Sequence, residues 1–112
     1  MKRIHYASGS LLTGDAIAEV LLRYAAVLAT NESAAEVRAP ALADDGLVKP
    51  VLLLLGPASQ MLAEEEASEH PEIVDADFVA ACEKEIRALG PRRAEYVADG
   101  TDETAGLDLD YL

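Results

Sequence analysis

The chain has 112 residues, of which 51% are hydrophobic, and its 21 acidic and 9 basic side chains give a formal net charge of −12. Residues 1–60 hold six acids and five bases, whereas residues 61–112 hold fifteen acids and four bases. Binding to nucleic acid or to an anionic membrane needs clustered lysine and arginine, so this composition argues against both as direct partners.

The first 30 residues predict a strand followed by a helix. Residues 2–7 favour a short strand, and the Ser-Gly-Ser sequence at 8–10 interrupts it as a loop. Residues 14–30 predict a helix, because their apolar positions recur at i, i+3, i+4 and i+7. Thr13 is predicted to cap this helix, and the negative charge of Asp15 suits its first turn.

Residues 34–55 predict a β-hairpin. Residues 34–43 alternate between apolar and polar side chains, and Pro40 indicates an edge strand because proline has no N–H to donate. The Asp-Asp-Gly sequence at 44–46 is typical of a hairpin turn. Residues 47–55 form the returning strand, and the aliphatic run 51–55 predicts that this strand lies at the centre of the sheet, where it is covered on both faces or lies at an interface.

Beyond the hairpin, Gly56 and Pro57 end the strand, and residues 58–67 are interpreted as a short helix, with a continuing extended segment as the alternative. Residues 76–89 predict a further helix that Asp75 caps and that Gly90 and Pro91 end.

These elements predict an α+β fold with a three-stranded sheet in the order 1-3-2, a split β-α-β unit plus a hairpin, packed with two to three helices. Residues 1–97 form the predicted single domain, and residues 98–112 form an acidic and flexible tail. Because a three-stranded sheet with exposed edges is marginal on its own, a homodimer is expected.

Two loops are candidate ligand sites. The loop before the first helix offers N–H groups to an anion, and the segment after the Leu-rich strand leaves a strand end, where α/β proteins often bind ligands. The candidate residues in them are Ser8, Ser10, Thr13, Ser59 and Gln60. A turn and a helix start are the alternative interpretations. The predicted topology places the two loops at opposite ends of the sheet, which argues against one shared pocket.

No catalytic residue, metal site or cofactor is predicted. The two histidines, His5 and His70, lie in different segments, and the acids around His70 are interpreted as a solvated loop. Cys82 is the single cysteine, which excludes an internal disulfide and favours a reducing cytoplasm, and its position on the apolar helix stripe predicts a core residue. The longest aliphatic run, 51–55, is far too short to span a membrane.

The C-terminal residues alternate between apolar and acidic side chains. In an extended chain the apolar side chains line one side, as in a strand that docks on a sheet edge. The candidate docking residues are Leu107, Leu109, Tyr111 and Leu112.

Three functions follow as hypotheses. The first is a non-enzymatic, cytoplasmic protein-interaction or accessory module, homodimeric or bound to another protein, that uses the Leu-rich strand or the acidic tail. The second is a DNA mimic or an antitoxin-like inhibitor of a basic protein, in which carboxylates imitate phosphates. The third is a small-ligand-binding domain that uses the two loops.

Overall fold

The structure is a computed structural model that describes residues 1–7, 9–58 and 60–90. Within these residues the chain forms five strands and two helices. In chain order they are β1 (Lys2–Tyr6), β2 (Gly9–Thr13), α1 (Asp15–Thr30), β3 (Ala35–Leu42), β4 (Val48–Leu55), β5 (Met61–Glu65) and α2 (Ala76–Leu89). The α+β class is therefore confirmed, and so are both long helices and the hairpin. No helix in the described ranges combines the length and apolarity that a membrane crossing requires.

The sheet has five strands in the order β4-β3-β2-β1-β5, so the predicted three-stranded sheet in the order 1-3-2 is wrong. Its ladders β1–β2, β1–β5 and β3–β4 are antiparallel, and β2 meets β3 at the single pair Leu12 and Leu42. The two strands absent from the prediction, β2 and β5, are each five residues long and flank β1 on opposite sides. Pairing with β1 supplies the hydrogen-bond partners that such short segments cannot supply themselves.

One apolar core joins the helices to the sheet. The predicted stripe of α1 is buried in it at Ile17, Val20, Leu21, Tyr24 and Leu28. Strands β1 to β4 contribute buried residues from the sheet, namely Ile4, Leu11, Leu12, Val37, Ala39, Ala41, Leu53 and Leu55. Helix α2 packs on α1, and Cys82 is its one buried residue, in agreement with the predicted core position.

The Leu-rich strand β4 lies at the edge of the sheet, which contradicts the predicted central position. Leu53 and Leu55 are buried, but Leu52 and Leu54 are 57% and 64% exposed. The run is apolar on both faces, yet only one face is covered in the described part of the chain. Pro40, predicted to mark an edge strand, lies in β3 between β2 and β4. It fits there because β2 pairs with β3 at Leu42, beyond the proline, so the ladder does not require its missing N–H.

Residues 61–65 are extended, so the helix predicted over 58–67 is wrong and the extended alternative is confirmed. Antiparallel pairing with β1 from Lys2–Glu65 to Tyr6–Met61 holds this segment as a strand.

Helix α1 begins differently from the prediction. Gly14 is its N-cap residue, and the hydroxyl of Thr13 donates instead to the carbonyl of Pro40, at 2.7 Å. The first turn is capped from outside, because Glu72 Oε2 accepts a hydrogen bond from the Asp15 N–H at 2.5 Å. The segment around Glu72 packs so close to Gly14 that a Cβ there would collide with the carbonyl oxygen of Ile73. Glycine at 14 is thus required by close approach of the backbone.

Helix α2 begins as predicted. The Asp75 side chain accepts a hydrogen bond from the Phe78 N–H at 3.0 Å, which satisfies one of the donors that a helix start leaves unpaired.

Candidate protein-docking edge at strand β4

The hydrogen-bond pattern of the β3–β4 hairpin shows which backbone groups of β4 point away from the sheet. At the turn, the Ala43 N–H donates to the Leu47 carbonyl at 2.8 Å, so this pair is hydrogen-bonded. Hydrogen-bonded and non-hydrogen-bonded pairs alternate along an antiparallel ladder. Pro40 and Pro50 therefore form a non-hydrogen-bonded pair, as two residues without N–H groups must.

The same alternation assigns the rest of the strand. The backbone groups that point outward belong to Val48, Pro50, Leu52 and Leu54, and we call these residues with their side chains the β4 edge. The N–H and carbonyl groups of the other residues of the strand form hydrogen bonds with β3. The β4 edge is therefore a row of backbone hydrogen-bonding groups on the outermost strand of the sheet, where no further strand of the described chain pairs with them.

The side chains of the β4 edge are apolar. Val48, Leu52 and Leu54 are each more than half exposed. The one charged residue between Val48 and Leu55 is Lys49, whose ammonium group lies 2.8 Å from the Asp45 carboxylate in the adjacent turn. The result is an uncharged, extended strip of leucine and proline at an open sheet edge.

The hydroxyl of Tyr6 donates a hydrogen bond to the Leu54 carbonyl. This outward-facing acceptor of the β4 edge thus has a partner within the chain. The Leu52 N–H and carbonyl have no partner among the residues that the structure describes.

An open groove of about 570 Å³ continues the β4 edge beyond Leu54. The groove is lined by Tyr6, Ala7, Ala34, Gly56, Pro57 and Gln60 among others. The end of β1 and the second predicted ligand loop therefore lie together at Ala7, Gly56, Pro57 and Gln60. Ala7 directly precedes the first predicted ligand loop, so these two segments do not lie at opposite ends of the sheet, as the predicted topology has them. They meet because β1 pairs with β5, which places Tyr6 opposite Met61.

The candidate ligand residues are only partly brought together by this groove. Gln60 lines it, but Ser10 lies in β2, where its hydroxyl accepts from Arg3 Nη1 at 3.1 Å. Thr13 is fully buried and bonded to Pro40. Ser8 and Ser59 lie outside the described residues. The groove offers little polar chemistry, since the Tyr6 hydroxyl is engaged and most other lining groups are apolar.

The acids of strand β5 are paired with the bases of β1. Lys2 Nζ lies 2.9 Å from a Glu65 oxygen, and Arg3 binds both oxygens of Glu66, at 2.7 and 2.8 Å. Hydrogen bonds from Arg3 hold the pKa of Glu66 below its usual value. The second sheet edge is therefore charged and its carboxylates are partly neutralised, in contrast to the β4 edge.

The chemistry of the other predicted positions is limited. Within residues 1–7, 9–58 and 60–90 no three His, Cys, Asp or Glu side chains gather as a metal site would require. Burial, reinforced by Glu85 and Glu83, raises the pKa of the Cys82 thiol, which opposes thiolate formation. The docking residues predicted in the tail, Leu107, Leu109, Tyr111 and Leu112, lie outside the described part of the chain.

The predicted central strand, covered on both faces or lying at an interface, differs from the structure, in which Leu52 and Leu54 are exposed at a sheet edge. Pro50 is a sequence signal for this edge position, because proline has no N–H to donate to a neighbouring strand. The contribution of Tyr6 had no sequence signal, since its partner Leu54 is 48 residues away.

Comparison with known proteins adds no assignment: no family model matches the chain, and neither a curated protein nor a solved structure matches it.

Proposed function

We propose that this protein is a non-enzymatic interaction module that binds a protein strand along the β4 edge. The observation that carries the proposal is the exposure of Leu52 and Leu54, 57% and 64%, on an edge strand whose outward backbone groups include the unpartnered N–H of Leu52. Added strands gain main-chain hydrogen bonds from such an edge and specificity from alternate side chains. A cytoplasmic location, suggested by the lone cysteine, belongs to the same proposal.

The contrast between the two sheet edges supports this choice. Proteins commonly protect edge strands with charged side chains, which discourage pairing with another chain. Strand β5 follows that pattern, with Glu64 and Glu65 exposed on it and Glu66 directly after it. Strand β4 has charge only at Lys49, and its central residues are aliphatic. The protein thus protects one edge and leaves the other fit for pairing.

The same contacts weigh against the DNA-mimic alternative. A phosphate mimic needs a continuous row of unpaired carboxylates, whereas Glu65 and Glu66 are engaged by Lys2 and Arg3. The ligand-binding alternative is not favoured by a specific contact, because the groove beside Leu54 is open and mainly apolar.

The experiment is quantitative affinity capture from a lysate of the source cells with the wild-type chain, Leu52→Lys and Leu62→Lys. Leu62 is the matched control, because it is 56% exposed on the opposite edge strand, β5. We expect proteins captured by the wild type and by Leu62→Lys to be lost with Leu52→Lys, since a charge would interrupt the apolar edge. A chain truncated after residue 97 tests the tail in parallel.

The proposal fails if the set of captured proteins is the same for all three full-length chains. It also fails if truncation after residue 97 removes every partner while Leu52→Lys removes none, because docking would then depend on the tail.

A further inference from the structure

We propose that the occupant of the β4 edge is a second copy of this chain, with the two β4 strands antiparallel and related by a two-fold axis at Leu52. The inference rests on the proposed function and names its partner. The two five-stranded sheets would join into one continuous sheet of ten strands. In such an isologous contact, if one residue contacts a second residue of the other copy, that second residue contacts the first in turn. The edge must therefore be complementary to itself.

The backbone of the β4 edge meets that requirement in this register. Leu52 would exchange two hydrogen bonds with Leu52 of the second copy, as the central hydrogen-bonded pair. Leu54 would then lie opposite Pro50 of the second copy, and its N–H would donate to the proline carbonyl. The proline has no N–H to return, and the Leu54 carbonyl needs none because it already accepts from the Tyr6 hydroxyl. The missing donor and the occupied acceptor face each other.

Neighbouring registers lose this match. With the axis at Val51, Pro50 lies opposite Leu52 and leaves the Leu52 carbonyl without a donor. With the axis at Leu53, the Leu52 N–H has to share the Leu54 carbonyl with the Tyr6 hydroxyl, which weakens both hydrogen bonds. Unpaired polar groups are costly when an interface removes them from water, so the register at Leu52 is favoured.

The side chains agree with the backbone. On the outer face Leu52 would meet its symmetry mate, and Leu54 would meet Pro50, so the central pairs across the seam are apolar. Lys49 would lie opposite Leu55 of the second copy and far from Lys49 of the second copy. Within its own chain it is already paired with Asp45. No like charges are opposed at the seam, although each chain carries a net charge of −12. Added salt should therefore strengthen the dimer by screening repulsion between the two chains, whereas it would weaken binding to a basic protein.

The test is the mass of the purified full chain in solution, measured by sedimentation and by light scattering over a concentration series. We expect twice the 11.9 kDa of one chain for the wild type and for Leu62→Lys. Leu52→Lys places two ammonium groups at the two-fold axis and should raise the dimer Kd about tenfold or more. Circular dichroism should show an unchanged fold, because the Leu52 side chain is exposed.

A second variant, Leu52→Pro, removes the central N–H without adding charge. That N–H points away from β3, so the hairpin bonds are kept, as they are at Pro50. Loss of the dimer with a retained fold is the expected result. A wild-type chain that stays monomeric at every concentration overturns the inference, and so does a dimer that survives both variants. If a monomeric chain still captures another protein in a Leu52-dependent manner, the proposed function stands and only the self-pairing fails.

The register has its own test in single-cysteine chains that carry Cys82→Ser. Opposed residues of a hydrogen-bonded antiparallel pair have Cα atoms about 5.5 Å apart, within the range that a disulfide spans. Leu52→Cys should therefore form a disulfide-linked dimer on mild oxidation. Val48→Cys, on the same exposed face but four residues along the strand, should not. Cross-linking of Val48→Cys without Leu52→Cys would refute the axis at Leu52.

Discussion

Replacing Thr13 by valine tests how the two halves of the sheet are held together. Strands β2 and β3 are joined by the Leu12–Leu42 pair and by the hydrogen bond from the Thr13 hydroxyl to the Pro40 carbonyl, 2.7 Å long. Thr13 is fully buried, and valine keeps its shape while removing the donor. The change therefore isolates one cross-strand hydrogen bond between the part of the sheet around β1 and the hairpin that carries the β4 edge.

The expected cost follows from the acceptor that is left behind. A buried polar group that loses its partner costs about 1–3 kcal/mol, and because Pro40 is partly exposed we expect a cost of about 1 kcal/mol. For a domain of this size each 1 kcal/mol lowers the melting temperature by about 4–8 °C. We therefore expect Thr13→Val to melt about 4–8 °C below the wild type, with a lower urea midpoint and an unchanged m-value.

Thermal and urea unfolding followed by circular dichroism measure this effect, and Thr13→Asp distinguishes it from helix capping. Aspartate is among the best N-cap residues, so a capping role predicts equal or higher stability. In the buried position that the structure gives Thr13, a carboxylate beside the Pro40 carbonyl should cost about 3 kcal/mol or more. A Thr13→Val chain as stable as the wild type, or a stabilised Thr13→Asp chain, would refute the reasoning.

Three further predictions concern close packing, the thiol and acid stability. Gly14→Ala should destabilise by about 1–3 kcal/mol in urea titrations because its Cβ meets backbone, while the control Gly9→Ala, with nothing within 4 Å, should change stability by less than about 0.5 kcal/mol. Cys82 should resist iodoacetamide in the native chain at neutral pH and react after denaturation, and rapid labelling of the native chain would contradict its burial. Because the pKa of the Cys82 thiol is raised in the folded chain, its contribution to stability should be lost as the pH rises above 9.0. Arg3 lowers the pKa of Glu66, so the stability that this pair contributes is present above pH 4.5 and is lost as the pH falls below that value. Glu66→Gln should therefore flatten the acid side of the curve of stability against pH, and an unchanged slope would argue against the pair.

Local patterns were sufficient to predict several elements. The apolar stripes of residues 17–28 and 78–89 have the helical period, and both helices are found at nearly the predicted bounds. The alternation before the Asp44–Gly46 turn predicted the hairpin, whose ladder extends from Ala35–Leu55 to Leu42–Val48. The Asp75 cap was predicted because the residue that accepts the hydrogen bond lies three positions from its donor.

The predicted candidate sites were less accurate, because each depended on contacts between distant segments. Thr13 was interpreted as a cap from its position before α1, but its partner is Pro40, 27 residues away. Ala7, which directly precedes the first candidate loop, and Gly56 of the second loop lie at opposite ends of the sheet in the predicted topology but line one groove in the structure. Leu52 and Leu54 were expected to be covered, at the sheet centre or at an interface, because an aliphatic run looks the same in sequence whether it lies at the centre or at the edge of a sheet.

By itself the sequence determined the acidic charge, the two helices, the β3–β4 hairpin and the α+β class. These features depend on composition, on periods of 3.6 and 2 residues, and on turn residues, all of which act between close neighbours in the chain. Only the tertiary structure decided that residues 9–13 and 61–65 are strands, and that β4 is an edge. A strand satisfies its N–H and carbonyl groups on another strand, and β1 finds its partner β5 about 60 residues along the chain. Which edge remains open is therefore a property of the pairing and not of any one segment.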